Sequence, residues 1–139
     1  MSKGFITLEG KDELFTFLNK KKDIDKKKLD VVLQDMAFSV QNISVKSINR
    51  GSRTGRVYTR RSVAHVASAA GEPPKTDTGQ LVRNITVDKK NVLNYDVGSR
   101  AKGAPYGFWL EMGTRNIAPR PWLKPAYDET IKKFRGFFK

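Results

Sequence analysis

Glu111 stands in the densest aromatic stretch of the chain, Tyr106-Gly107-Phe108-Trp109-Leu110-Glu111-Met112-Gly113-Thr114. A carboxylate in such surroundings is the raw material of a general acid. That chemistry needs a partner, and no residue is spaced to supply one. The single histidine, His65, lies among small and apolar residues with no Cys, Asp or Glu close by. Neither a multi-histidine metal site nor a nucleophile–base pair can be assembled on it. The absence of cysteine removes disulfides and thiolate ligands as well. Gly51-Ser52-Arg53-Thr54-Gly55 is flanked by glycines but lacks the lysine of a phosphate loop. Glu111 therefore reads as structural, paired with Arg115 or Arg120, because a buried carboxylate needs a cation or several donors. No enzyme activity, no metal and no cofactor are expected.

The elements around Glu111 form a corner. Tyr106, Trp109 and Leu110 share one face of a short helix at i, i+3, i+4 spacing, and Gly113 sits where that helix should stop. Arg120 lies between Pro119 and Pro121, which hold an extended strut. Trp122 follows, and Pro125 falls in the first turn of a closing helix from about Leu123 to Phe134. Both Trp109 and Trp122 are expected to be buried, with Arg120 contacting Glu111.

Upstream, the apolar stripe Leu29, Val32, Leu33, Met36, Val40 and Ile43 predicts a main helix from Asp25 to about Ser47, with Asp25 as its N-cap. A shorter helix is predicted over Lys11–Asn19. Alternation over Gln80–Asp88 and Asn91–Gly98, joined by Lys89-Lys90, predicts an antiparallel hairpin. Gly71-Glu72-Pro73-Pro74 should be extended, and Thr78-Gly79 should turn the chain into the first strand, with Gly79 at positive φ. The class is α+β: a long N-terminal helix and a C-terminal helix on a small antiparallel sheet, with a long basic loop. One domain spans residues 1–139, large enough for a single modest core.

Charge adds a second theme. The chain has 27 Lys and Arg against 14 Asp and Glu, a net charge of +13, which calls for a polyanionic or acidic partner. Between Asp35 and Glu72 there is no acid, yet Arg50, Arg53, Arg56, Arg60 and Arg61 all fall there. With Gly51, Ser52, Thr54 and Gly55 among them, residues 48–79 read as an extended basic arm and a proline-rich turn. The lysines around residues 20–28 and 132–139 read as solvated faces. No apolar run is long enough to span a bilayer.

The corner pattern, Tyr-x-x-Trp-Leu-Glu-x-Gly-Thr followed by Arg-Pro-Trp-Leu-x-Pro-Ala, resembles the neck and tail-completion proteins of tailed bacteriophages. That family includes the minor tail protein Z-like proteins of lambda-type phages. Ala67-Ser68-Ala69-Ala70-Gly71-Glu72-Pro73-Pro74, then Asp77-Thr78-Gly79-Gln80-Leu81, resembles a second signature of the same family, with Ala70 where proline is usual. Together they cover roughly residues 64–127. The resemblance implies a virion structural subunit that joins tail to head connector around the DNA channel, in a homo-oligomeric, sixfold ring. It also implies head-closure or connector proteins and tail terminator or tube proteins as neighbours, and assembly in the bacterial host cytoplasm. The arginine arm would then face DNA or grip the next subunit. The charge alone would suit a stand-alone basic nucleic-acid-binding protein, although no helix-turn-helix, ribonucleoprotein or zinc-knuckle motif is present.

Overall fold

The computed structural model describes residues 5–9, 26–51, 53–76, 78–100, 102 and 104–138. The expected Lys11–Asn19 helix and the cap at Asp25 lie outside them. Helix α1 (Lys26–Arg50) buries Leu29, Leu33, Met36, Ala37, Val40, Ser44 and Ile48. These recur every three or four residues and draw one apolar stripe down the helix, as the sequence predicts.

That stripe lies against a three-stranded antiparallel sheet of order β1-β5-β4. Its strands are β1 (Phe5–Glu9), β4 (Ile85–Asn91) and β5 (Asn94–Ser99). The central strand, β5, is buried from Tyr95 to Ser99. Leu33, Met36, Val40 and Ile48 of α1 share one core with Leu81, Ile85, Tyr95, Val97, Trp122 and Leu123. Helix α4 (Lys124–Phe134) packs on α1 and runs into a 3-10 turn over Arg135–Phe138. The α+β class, with a long N-terminal and a C-terminal helix, is as the sequence implies.

Two details of the core hairpin differ from expectation. The chain does not enter the sheet at Gln80. Residues Gln80–Arg83 form a single helical turn, α2, and the strand starts at Ile85. The turn buries Leu81, and Asn84 closes it by donating from Nδ2 to the Gln80 carbonyl at 2.8 Å. The hairpin also reverses at Val92-Leu93, not at Lys89-Lys90. The two lysines stay in the strand because acids await them: Lys89 Nζ lies 2.5 Å from Asp30 Oδ2, and Lys90 Nζ 3.7 Å from Asp96.

Asp30 holds the reversal. Its carboxylate also accepts the Leu93 amide at 2.8 Å and the Tyr95 hydroxyl at 3.1 Å. Leu93 has φ 61, a left-handed conformation that disfavours a branched side chain. Burial pushes the Asp30 carboxyl up, but hydrogen bonds from Lys89, Leu93 and Tyr95 more than offset this and hold it below the ordinary carboxylate value. Lys89 is raised in turn, first by its hydrogen bond to Asp30.

The basic arm is the larger correction. It is not a loop throughout, because α1 already extends to Arg50 and a second hairpin follows. Strands β2 (Val57–Arg60) and β3 (Val63–Val66) pair antiparallel as a separate two-stranded sheet. Arg61 and Ser62 make the reversal with φ 48 and 65. Positive φ at both central residues is the type I′ arrangement, whose twist matches that of the strands it joins. The ladder continues at its base, where the Gly55 amide donates to Ala67 O at 2.8 Å and the Ala67 amide to Arg56 O at 3.1 Å.

The return from this hairpin is tied down. Thr76 N–H donates to Ile48 O at 3.2 Å, and Lys75 Nζ to Asn49 O at 2.6 Å. Two carbonyls at the end of α1 thus find donors outside the helix. The described residues between Gly71 and Gly79 are non-helical, as expected, with Gly71 at φ 82 and Gly79 at φ 74. Pro74 is buried and Pro73 half-buried along this segment.

Candidate functional site

The corner begins at helix α3 (Tyr106–Met112), which sits against β5 through Gly107. A Cβ at Gly107 would lie 2.3 Å from Ser99 Oγ, so only glycine allows this approach. The Gly107 carbonyl accepts Trp122 Nε1–H at 2.9 Å. Gly113 stops the helix as predicted, at φ 75, and its amide donates to Trp109 O at 2.8 Å.

Glu111 does not pair with Arg115 or Arg120. Its Oε2 accepts the amides of Trp122 at 2.7 Å and Leu123 at 2.9 Å, and its Oε1 accepts the Lys124 amide at 2.8 Å. Those three amides open helix α4, whose own N-cap position, Leu123, has no side-chain acceptor to offer. Glu111 is therefore a cap supplied from the preceding helix: a negative charge placed where helix N–H groups are orphaned and the dipole is positive. Pro125, in the first turn of α4, removes one further unsatisfied amide. Several donors, rather than a cation, answer the need of the carboxylate.

The tryptophans part company. Trp122 is 1% exposed and belongs to the core, but Trp109 is 52% exposed, against expectation. In a seven-residue helix the buried side is narrow. Gly107 is its fully buried residue and Tyr106 and Leu110 border the core, which turns Trp109 and Met112 outward together. Arg120 is anchored only through its backbone amide, which donates to Leu110 O at 2.6 Å. Its Nε is buried without an acceptor, and it makes no ion pair among the described residues. Pro121 is half-buried beside it.

Arg50, Arg53, Arg56, Arg60 and Arg61 are all exposed, yet the structure does not gather them by their three-residue spacing. Arg50 ends α1, Arg53 and Arg56 lie on the approach to β2, Arg60 ends that strand, and Arg61 is in its turn. Strand alternation places Arg56, Tyr58 and Arg60 on one face of the hairpin. Tyr58 lies opposite His65, and their rings stack with centroids 5.7 Å apart and planes at 24°. Val57, Tyr58 and Val63 are 60%, 42% and 56% exposed. A two-stranded ribbon with apolar side chains in water is marginal by itself. Tyr58, Val57 and Val63 are absent from the residues singled out by sequence, and His65 is weighed there only as a metal ligand or catalytic base. Their signal was present in the β-branched and aromatic runs Val57-Tyr58-Thr59 and Val63-Ala64-His65-Val66, but the surrounding arginines and glycines masked it.

Among the described residues no group of three or more His, Cys, Asp or Glu could hold a metal ion, and no helix is long and apolar enough to cross a membrane. The arrangement offers two things: a rigid corner and an exposed cationic hairpin that stands apart from the main sheet. No protein-family model, no curated protein and no solved structure matches the chain.

Proposed function

We propose that the chain is a structural, non-enzymatic subunit of a tailed-phage head–tail junction, forming a ring through which DNA passes. One observation carries this reading. The three segments that resemble the neck and tail-completion family are joined physically in one corner. Glu111, from the first segment, caps the helix that opens at Trp122-Leu123-Lys124 in the second. Gly71, from the upstream segment, donates its amide to Pro119 O at 2.9 Å. The shared pattern is thus one folding device, and a resemblance in it concerns a whole substructure rather than scattered identities.

The basic hairpin supplies the working surface. Its arginines and exposed apolar side chains suit both phosphate and a neighbour's edge. Contacts with passing DNA should be diffuse and salt-sensitive, without base readout. Homo-oligomeric assembly, as a sixfold ring between head-closure or connector proteins and tail terminator or tube proteins, follows from the same resemblance. The virion neck is then its place.

Replacing Arg50, Arg53, Arg56, Arg60 and Arg61 together by serine tests this directly. Exposed substitutions of this kind usually leave stability within about 0.5 kcal/mol, so the variant should fold. It should fail to complement a phage lacking the protein, leaving heads and tails unjoined or DNA poorly retained. Full complementation would remove the hairpin from the mechanism. Sizing the wild-type chain at low and high salt, with and without DNA, separates the ring subunit from a stand-alone nucleic-acid-binding protein. The former gives discrete oligomers without DNA, whereas the latter stays small and shifts only DNA.

A further inference from the structure

Buried polar atoms without partners are rare in folded chains, and each one asks for an explanation. Two of those among the described residues, Ser68 Oγ and Arg120 Nε, belong to residues that line the same space. It is a cavity of about 500 Å³ between the β2–β3 hairpin, the return segment and the corner. Ser68 is 1% exposed, so its hydroxyl has been withdrawn from bulk solvent and given nothing in exchange. Arg53 and Lys75 line the same space. None of Arg53, Lys75 and Arg120 has a carboxylate partner among the described residues, where the ion pairs seen belong to Lys89, Lys90, Arg100 and Lys124. The stacked Tyr58 and His65 form an aromatic wall.

The geometry points to a nucleotide site: a phosphate received by Arg120, Arg53, Lys75 and the Ser68 hydroxyl, with its base against the Tyr58–His65 wall. A guanidinium is a planar fork that meets phosphate oxygens in pairs, and a hydroxyl adds a neutral donor. A carboxylate would satisfy the cations equally well but would leave most of the volume empty. Cavities of about 300–1,000 Å³ are those in which organic ligands are held. Cationic surface beside an aromatic face is also the usual means of holding a base and its phosphate without reading sequence. The site does not depend on the head–tail reading, since a free nucleotide or one unit of a single strand presents the same chemistry.

Calorimetric titration of the full chain at fixed ionic strength tests it, with AMP, inorganic phosphate and a short oligo-dT as probes. AMP should bind once per chain and about tenfold more tightly than inorganic phosphate, the difference coming from stacking. Arg120→Gln, checked for folding by circular dichroism, should weaken AMP and phosphate alike by about tenfold or more. Tyr58→Ser, on an exposed strand, should bring AMP down to the affinity of phosphate and leave phosphate unchanged. Saturation by AMP identifies a free nucleotide as sufficient. Binding of oligo-dT alone, lost in Arg120→Gln and Tyr58→Ser, identifies a nucleotide within a strand. Absence of binding by every probe, or binding untouched by Arg120→Gln, overturns the site. Equal affinity for AMP and phosphate in the wild type overturns the aromatic half of it.

Discussion

The two hairpins share a chain, a two-residue reversal and left-handed residues at the turn, yet they are held by opposite means. In β4–β5 the strained Leu93 is compensated by Asp30, reaching from α1 to its amide, while β1 and α1 cover the sheet. In β2–β3 Arg61 and Ser62 carry the strain at the tip of an exposed ribbon, with Val57 and Val63 facing water. A hairpin is only as rigid as what grips it from outside. The inner one is a load on the core, and the outer one is available to bind.

Asp30→Ala should have the largest effect on this contrast. It strips the acceptor from the Leu93 amide and the Tyr95 hydroxyl and leaves Lys89 unpaired, costing about 2–4 kcal/mol in urea unfolding. A loss below about 0.5 kcal/mol would mean that the sheet holds the turn without help from α1.

Acid should reveal the same contact more gently. Because the Asp30 carboxyl titrates below its ordinary value when folded, its contribution is complete above the unfolded value near about 4. It is lost as pH falls through the lower folded value, and Asp30→Asn should remove that part of the slope. Lys89, raised by the same pair, contributes below the ordinary lysine value of about 10.4 and loses that contribution as pH rises through its folded value. A midpoint of unfolding that is equally acid-sensitive in wild type and Asp30→Asn would assign the slope to other carboxylates.

The smallest effect belongs to the outer hairpin. Arg61→Asn with Ser62→Gly places residues that accept positive φ at both turn positions, relieving about 1 kcal/mol of local strain at each. Amide exchange in β2–β3 should slow by about tenfold or more while the global unfolding midpoint stays within a degree or so. A shift of the whole transition would show that the two hairpins unfold as one unit.

Periodicity and stop signals made much of the frame legible. The stripe from Leu29 to Val40, the positive φ at Gly79, the helix stop at Gly113, the extended Gly71–Pro74 segment and Pro125 in the first turn of α4 depend on local chemistry, and the sequence carries local chemistry directly. The failures depend on long-range partners. Lys89-Lys90 reads as a turn unless Asp30 is known to face it, and Arg61-Ser62 lacks the Asn-Gly signature of the turn it makes. Glu111 reads as a buried carboxylate in need of partners and is half-buried in the fold, but the sequence offers cations by name and backbone amides only implicitly. Trp109 was misplaced because an i, i+3, i+4 face on a seven-residue helix spans more arc than the core can take.

The pairing of β1 with β5 joins Phe5 to Gly98, far apart in the chain, whereas Glu111 and Trp122 are near neighbours. Contacts of short separation close early and those of long separation late. During synthesis β1 must therefore wait for the sheet's central strand, which is made well after it. Until then β5, when it appears, has one edge open, and an open edge recruits strands from other chains. Once paired, β1 covers that edge and leaves the central strand flanked on both sides.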